Sequence, residues 1–160
     1  MTVAASVARW SGTFPEVQHY IADATNGAAI VVGSFVKTDS DGEIIICGAD
    51  PATVLGIALG DFNGAAGYGM PSGITQVTGR TQRIPVALGT SDTIFRMKGS
   101  TAPLLTHIGE NYGVALASGI WTVDLTETTA KVVVVVDIDT DRADFFVKIH
   151  EDIFEHSVAT

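Results

Sequence analysis

Short runs of β-branched and aromatic residues, each closed by glycine, aspartate or serine, recur along most of this chain, and that punctuation dictates a mainly β fold. Val, Ile, Thr, Tyr and Phe suit a pleated, half-buried surface, whereas Gly, Asp and Asn supply the backbone angles of tight turns. Residues 28–38 carry two such runs around Gly33, and Asp39, Ser40, Asp41 and Gly42 separate them from the run ending at Cys47. The Asp41-Gly42 pair predicts a hairpin, since both residues accept positive φ. Residues 53–62 predict a short apolar strand interrupted by Gly56 and Gly60, where a bulge or a close backbone approach is expected.

The same grammar continues downstream. Residues 63–73 read as a glycine-rich loop, and residues 76–88 as strand material broken near Gly79, with Pro85 assigning that strand to an edge or a bulge. Residues 93–98 alternate, Phe95 and Met97 against Ile94, Arg96 and Lys98. Residues 100–111 fit a long loop or a short helical turn. Two strands then flank Ser118-Gly119, and residues 131–138 form a β-branched run expected to be buried on both faces or to lie in a sandwich core. Residues 143–150 predict its hairpin partner, although Phe146, Ile149 and Ile153 also have helical spacing. About nine or ten short strands without a long amphipathic helix predict an all-β chain, a small β-barrel or β-sandwich. No internal repeat is legible.

Length fits one domain, so residues 18–160 are expected to form it, preceded by an extended N-terminal arm over residues 1–17. The arm has little regular period but carries Val3, Val7, Trp10, Phe14 and Val17 with only Arg9 and Glu16 charged. These five apolar residues are the candidate contacts to a neighbouring protomer or lattice, through strand addition and filled pockets, the alternative being an arm that folds back over its own barrel and caps the core.

Charge narrows the partners. Asp, Glu, Lys and Arg make up 17% of the chain, against about 25% in an average soluble domain, which predicts an exterior partly covered by neighbours, the alternative being a monomer whose exterior is rich in Thr, Ser and Gly. A net charge of -9 with nine Lys and Arg argues against nucleic acid as a partner. No apolar stretch is long enough for a membrane span and no secretory leader is legible. Cys47, the single cysteine, ends an isoleucine run and is expected to be a buried, passive thiol.

No catalytic constellation is legible. Asp137, Asp139 and Asp141 open like a calcium loop, but Arg142 and Lys148 stand where that loop needs Gly and a bidentate Glu. A solvated turn is the expected reading, with weak cation binding as the alternative. His19, His107, His150 and His156 lack a paired-ligand spacing, and Gly67, Gly69 and Gly73 miss the dinucleotide fingerprint. The expectation is a structural protein, not an enzyme, with no cofactor.

Gly33, Val36, the Asp41-Gly42 turn, Val54 to Leu59, and Asp61 before a glycine-rich loop form an ordered pattern, continued by the strand pair of residues 84–100. In this order the chain resembles the capsid decoration, or cement, proteins of tailed bacteriophages over residues 28–100. The resemblance implies a virion protein on the capsid exterior, a homotrimer clamping adjacent copies of the major capsid protein. Residues 101–160 have no counterpart in that pattern. The alternative function is a phage fibre or tail module that recognises a glycan or host surface.

Overall fold

The computed structural model describes residues 6–8, 16–23, 29–62, 83–90 and 92–155. The chain is mainly β, as the punctuated sequence predicts, with eleven strands among the described residues: β1 Ser6–Ala8, β2 Val17–Ile21, β3 Phe35–Thr38, β4 Ile44–Ile46, β5 Gly56–Ala58, β6 Arg83–Leu88, β7 Ile94–Gly99, β8 Asn111–Ala117, β9 Ile120–Asp124, β10 Val133–Asp139 and β11 Asp144–Ile149. Two single 3-10 turns, Leu105–His107 and Glu151–Ile153, are the only helical elements described.

Strands β2 to β6 lie in the order β2-β6-β5-β3-β4. A parallel bridge from Ala22 to Ile44 returns β4 to the end of β2, with Asp23 N–H donating to Ile44 O at 3.1 Å. Strands β7 to β11 lie in the order β7-β11-β10-β8-β9, and β9 returns to β7 in parallel. There Gly99 pairs with Val123 and Ser100 N–H donates to Val123 O at 2.8 Å. Among the described residues, each half of the chain is thus a circuit of five strands with the same order and the same parallel closure.

The match extends to register. In the first circuit Val36 faces Gly56, Gly56 faces Leu88, and Val86 faces Gln18. In the second, Tyr112 faces Val133, Val133 faces Ile149, and Val147 faces Phe95. Loop bonds repeat as well: Leu55 N–H to Val36 O (2.8 Å) matches Val132 N–H to Tyr112 O (3.0 Å), and Gly89 N–H to Leu55 O (3.0 Å) matches His150 N–H to Val132 O (2.9 Å). The chain carries an internal structural repeat that its residue identities do not display.

Packing follows the repeat. The interior of the first circuit is Ala22, Ile30, Val36, Ile44, Leu55, Ala58, Phe62, Ile84, Val86 and Leu88. Equivalent positions of the second, among them Tyr112, Val123, Val132, Val135, Phe145, Val147 and Ile149, lie in the larger core cluster. That cluster also takes in Phe35, Cys47, Val54, Ile57 and Ala87 from the first circuit, so strand alternation sends Val36 and Ala58 inward and Phe35 and Ile57 against the second circuit. Phe35 meets Trp121 with ring centroids 5.0 Å apart. Polar ties reinforce the seam: Asp50 N–H donates to Val114 O (3.1 Å), Val114 N–H donates to Asp50 Oδ1 (2.8 Å), and Thr38 N–H donates to Glu155 Oε2 (2.9 Å).

Ser6–Ala8, inside the expected arm, pairs antiparallel with β7 of its own chain, and Val17 opens β2. Pro85 lies in β6 between β2 and β5, away from any sheet edge. It is tolerated because β5 ends at Ala58, opposite Val86, so the missing N–H falls just past the ladder. The β-branched run buries Val132, Val133 and Val135 in the larger core cluster and half-buries Val134, Val136 and Ile138. Residues 144–149 form a strand, burying Phe145, Val147 and Ile149 on one face.

Cys47 is buried, and desolvation pushes its thiol up to about 12. Only the thiolate reacts quickly. Labelling of the folded protein by a thiol reagent between pH 7 and 9 is therefore expected to be slower than that of the denatured chain by a factor of about a hundred or more, as mass spectrometry against time would read.

Candidate interaction surfaces

Each circuit joins its first and second strands through a loop ending in the same tight turn. In the first, Ser34 N–H donates to Val31 O (3.0 Å), and in the second Glu110 N–H donates to His107 O (3.2 Å). Gly33 (φ 90°) and Gly109 (φ 87°) occupy the third position of these turns. Positive φ there is the type II signature and favours glycine. The preceding corner residue projects outward: Val32 is 45% exposed and Ile108 40%. Both turns are tied to their own sheet, by Gly33 N–H to Ala58 O (2.9 Å) and Gly109 N–H to Val135 O (2.8 Å).

The second loop presents the larger apolar surface. Leu104 and Leu105 are exposed, Leu105 at 76%, while Pro103 beneath them is buried. Leu104 N–H donates to His107 Nδ1 (3.0 Å) and His107 N–H donates to Leu104 O (2.9 Å). The imidazole packs edge-on against Tyr112 and lies 5.7 Å from the Phe145 ring. Ordering a flexible loop on binding costs about 1–2 kcal/mol per residue, and a loop already pinned by these bonds avoids much of that cost. From Thr101 to Ile108 it bears no Asp, Glu, Lys or Arg.

The candidate contacts of the arm divide. Val3, Trp10 and Phe14 lie outside the described residues, Val7 stands opposite Phe95 in the β1–β7 pairing, and Val17 is 41% exposed at the start of β2. Sequence reasoning missed Val31, Val32, Leu104, Leu105 and Ile108. The signal was there in part: three large aliphatic residues in an uncharged stretch, ahead of Gly109, with no strand alternation to bury them.

Of Asp137, Asp139 and Asp141, Asp139 organises the turn that follows β10. Asp139 Oδ1 accepts the N–H groups of Asp141 and Arg142 (3.0 Å each), and Asp137 Oδ1 accepts from Ile138 N–H (2.9 Å). Among the described residues the carboxylates that do converge are Asp23, Asp39 and Glu43, with oxygens within 4.8 Å of one another. Desolvation, and then Asp23, Asp39 and Asp41, hold the Glu43 carboxyl above its usual range. Asp39 Oδ1 accepts from Asp41 N–H (2.9 Å) and Glu43 N–H (3.0 Å), as the cap of the hairpin turn. His19 lies on β2, His107 holds the Leu104 loop, and His150 Nδ1 accepts from Asp152 N–H (3.2 Å). His156, Gly67, Gly69 and Gly73 lie outside the described residues.

No helix among the described residues is long and apolar enough to cross a membrane. No protein-family model matches the chain, and no curated protein matches it.

Proposed function

We propose that this chain is a structural virion protein that binds the outer surface of a phage capsid as an oligomer built from trimers and stabilises the shell without catalysis or a cofactor. The observation that carries the reading is the pinned, uncharged loop that holds Leu104, Leu105 and Ile108 in solvent. Large aliphatic side chains fixed in water by a network of backbone bonds serve a contact, because exposure alone brings no stability. The sparse charge of the whole chain and an order of residues that resembles that of decoration proteins support the same reading. In it the major capsid protein covers the apolar loops, the equivalent turn at Val31 and Val32 contributing less.

Co-sedimentation with capsids assembled from the cognate major capsid protein tests this. Burying a leucine side chain stabilises by about 1.5–3 kcal/mol, so Leu105→Asp is expected to weaken attachment by about tenfold or more with an unchanged melting temperature. Failure of the unaltered protein to sediment with shells, or equal binding by Leu105→Asp, would sink the proposal.

A further inference from the structure

The repeat exposes an inequality between the two circuits. On one edge β7 is shared: β1 pairs with Ile94, Phe95 and Arg96, and β9 takes over at Lys98 and Gly99. The equivalent edge belongs to β2, where Val17, Gln18 and His19 correspond to Ile94, Phe95 and Arg96, and Ala22 to Gly99. There β4 takes over at Ala22, yet among the described residues no strand pairs with the half-edge from Val17 to His19. Each copy thus has two equivalent half-edges and one described strand seated on them.

We propose that the half-edge of β2 is a contact between two copies of this chain, formed by antiparallel pairing of β2 with β2 about a twofold axis at Gln18. Leu88 N–H donates to Glu16 O, so even-numbered backbone groups of β2 face β6, and those of Val17 and His19 face outward. A twofold at Gln18 sets Val17 opposite His19 of the second copy twice over, giving four main-chain hydrogen bonds. The partner strand runs antiparallel and leaves before Ala22, as β1 leaves before β9.

Side chains favour a second copy over a foreign strand. Glu16, Gln18 and Tyr20 form a chain on one face, with Gln18 Nε2 donating to Glu16 Oε1 (2.8 Å) and Tyr20 Oη donating to Gln18 Oε1 (3.1 Å). Across the axis Glu16 meets Tyr20 of the second copy, an acceptor against a donor, and the Gln18 amide meets its own equivalent, each group being able to donate and accept. No like charges oppose one another. The half-edge also lacks the Lys, Pro or bulge that keeps free strands from pairing. Arg83 Nη1, 3.4 Å from His19 O, is the described side chain that reaches this edge, and the carbonyl keeps a second lone pair.

The contact does not depend on capsid binding, and its test is mass in solution. The unaltered full chain is expected to form assemblies with an even number of 16.7 kDa chains; a trimer joined this way doubles to a hexamer. Gln18→Lys and Gln18→Glu, each alone, place like charges directly across the axis and are expected to weaken self-association about tenfold and halve the mass. Mixing the two variants restores the pairing as a heterologous assembly. An odd-numbered or monomeric unaltered protein, or single variants that associate as the unaltered chain does, overturns the proposal. So does a mixture that stays apart while both variants melt as the unaltered protein does.

Discussion

Gly56→Ala is expected to destabilise the protein by about 3 kcal/mol or more, enough to unfold a domain of ordinary stability. A methyl group on Gly56 would run into the backbone carbonyl of Ala87, with the Ala87 carbonyl carbon 2.9 Å and Leu88 Cα 3.0 Å away. Backbone atoms cannot rotate aside as a side chain can, so β5 and β6 would have to part where Gly56 pairs with Leu88. The damage reaches both cores, because Leu88 lies inside the first circuit and Ala87 in the cluster shared with the second. Gly48→Ala is the control: nothing lies within 4 Å of its added methyl, and a change within about 0.5 kcal/mol is expected. Denaturant titration of both variants checks the contrast. The glycine is a local demand and no requirement of the circuit, since Val133 occupies the same register position in the second half and is fully buried.

The strands were legible where one face is dry. Phe145, Val147 and Ile149 alternate with half-buried Phe146 and Lys148, and the Asp41-Gly42 and Ser118-Gly119 turns delimit their hairpins, with Gly42 at φ 81° and Gly119 at φ 77°. β2 escaped notice because Val17, Gln18 and His19 are all exposed; without a buried face there is no alternation to read. The Leu104 loop escaped for a related reason, as exposure of an aliphatic residue is a property of the assembled surface. The repeat was illegible because an interior position asks only for apolar volume. Val36 and Tyr112, or Ile84 and Phe145, satisfy that request with different residues.

The fold follows from alternation, turns and register. The proposed function rests on the pinned loops that the fold leaves uncovered and on sparse charge, 17% of the chain. The loops carry the proposed shell contact and β2 the proposed contact between copies. Their substitutions, Leu105→Asp and Gln18→Lys, are therefore expected to act independently.

The second large effect tests the repeat through its packing. Gly99 and Phe145 in the second circuit stand where Ala22 and Ile84 stand in the first. The larger ring goes with the smaller partner: a methyl on Gly99 would strike Phe145 Cε2, with Cδ2 at 3.0 Å, whereas Ala22 coexists with Ile84, both buried. Gly99→Ala alone is expected to cost about 1–3 kcal/mol by overpacking. Phe145→Ile alone leaves a cavity in a fully buried site and is expected to cost about 2 kcal/mol. If the circuits share one interior design, Gly99→Ala with Phe145→Ile rebuilds in the second the pair that the first already holds. The methyl then fills part of the space the ring vacated, and the double variant is expected to be more stable than the summed single losses by about 1–2 kcal/mol. A denaturant-based double-mutant cycle measures this coupling, and strict additivity would mean that the matching registers do not produce matching interiors.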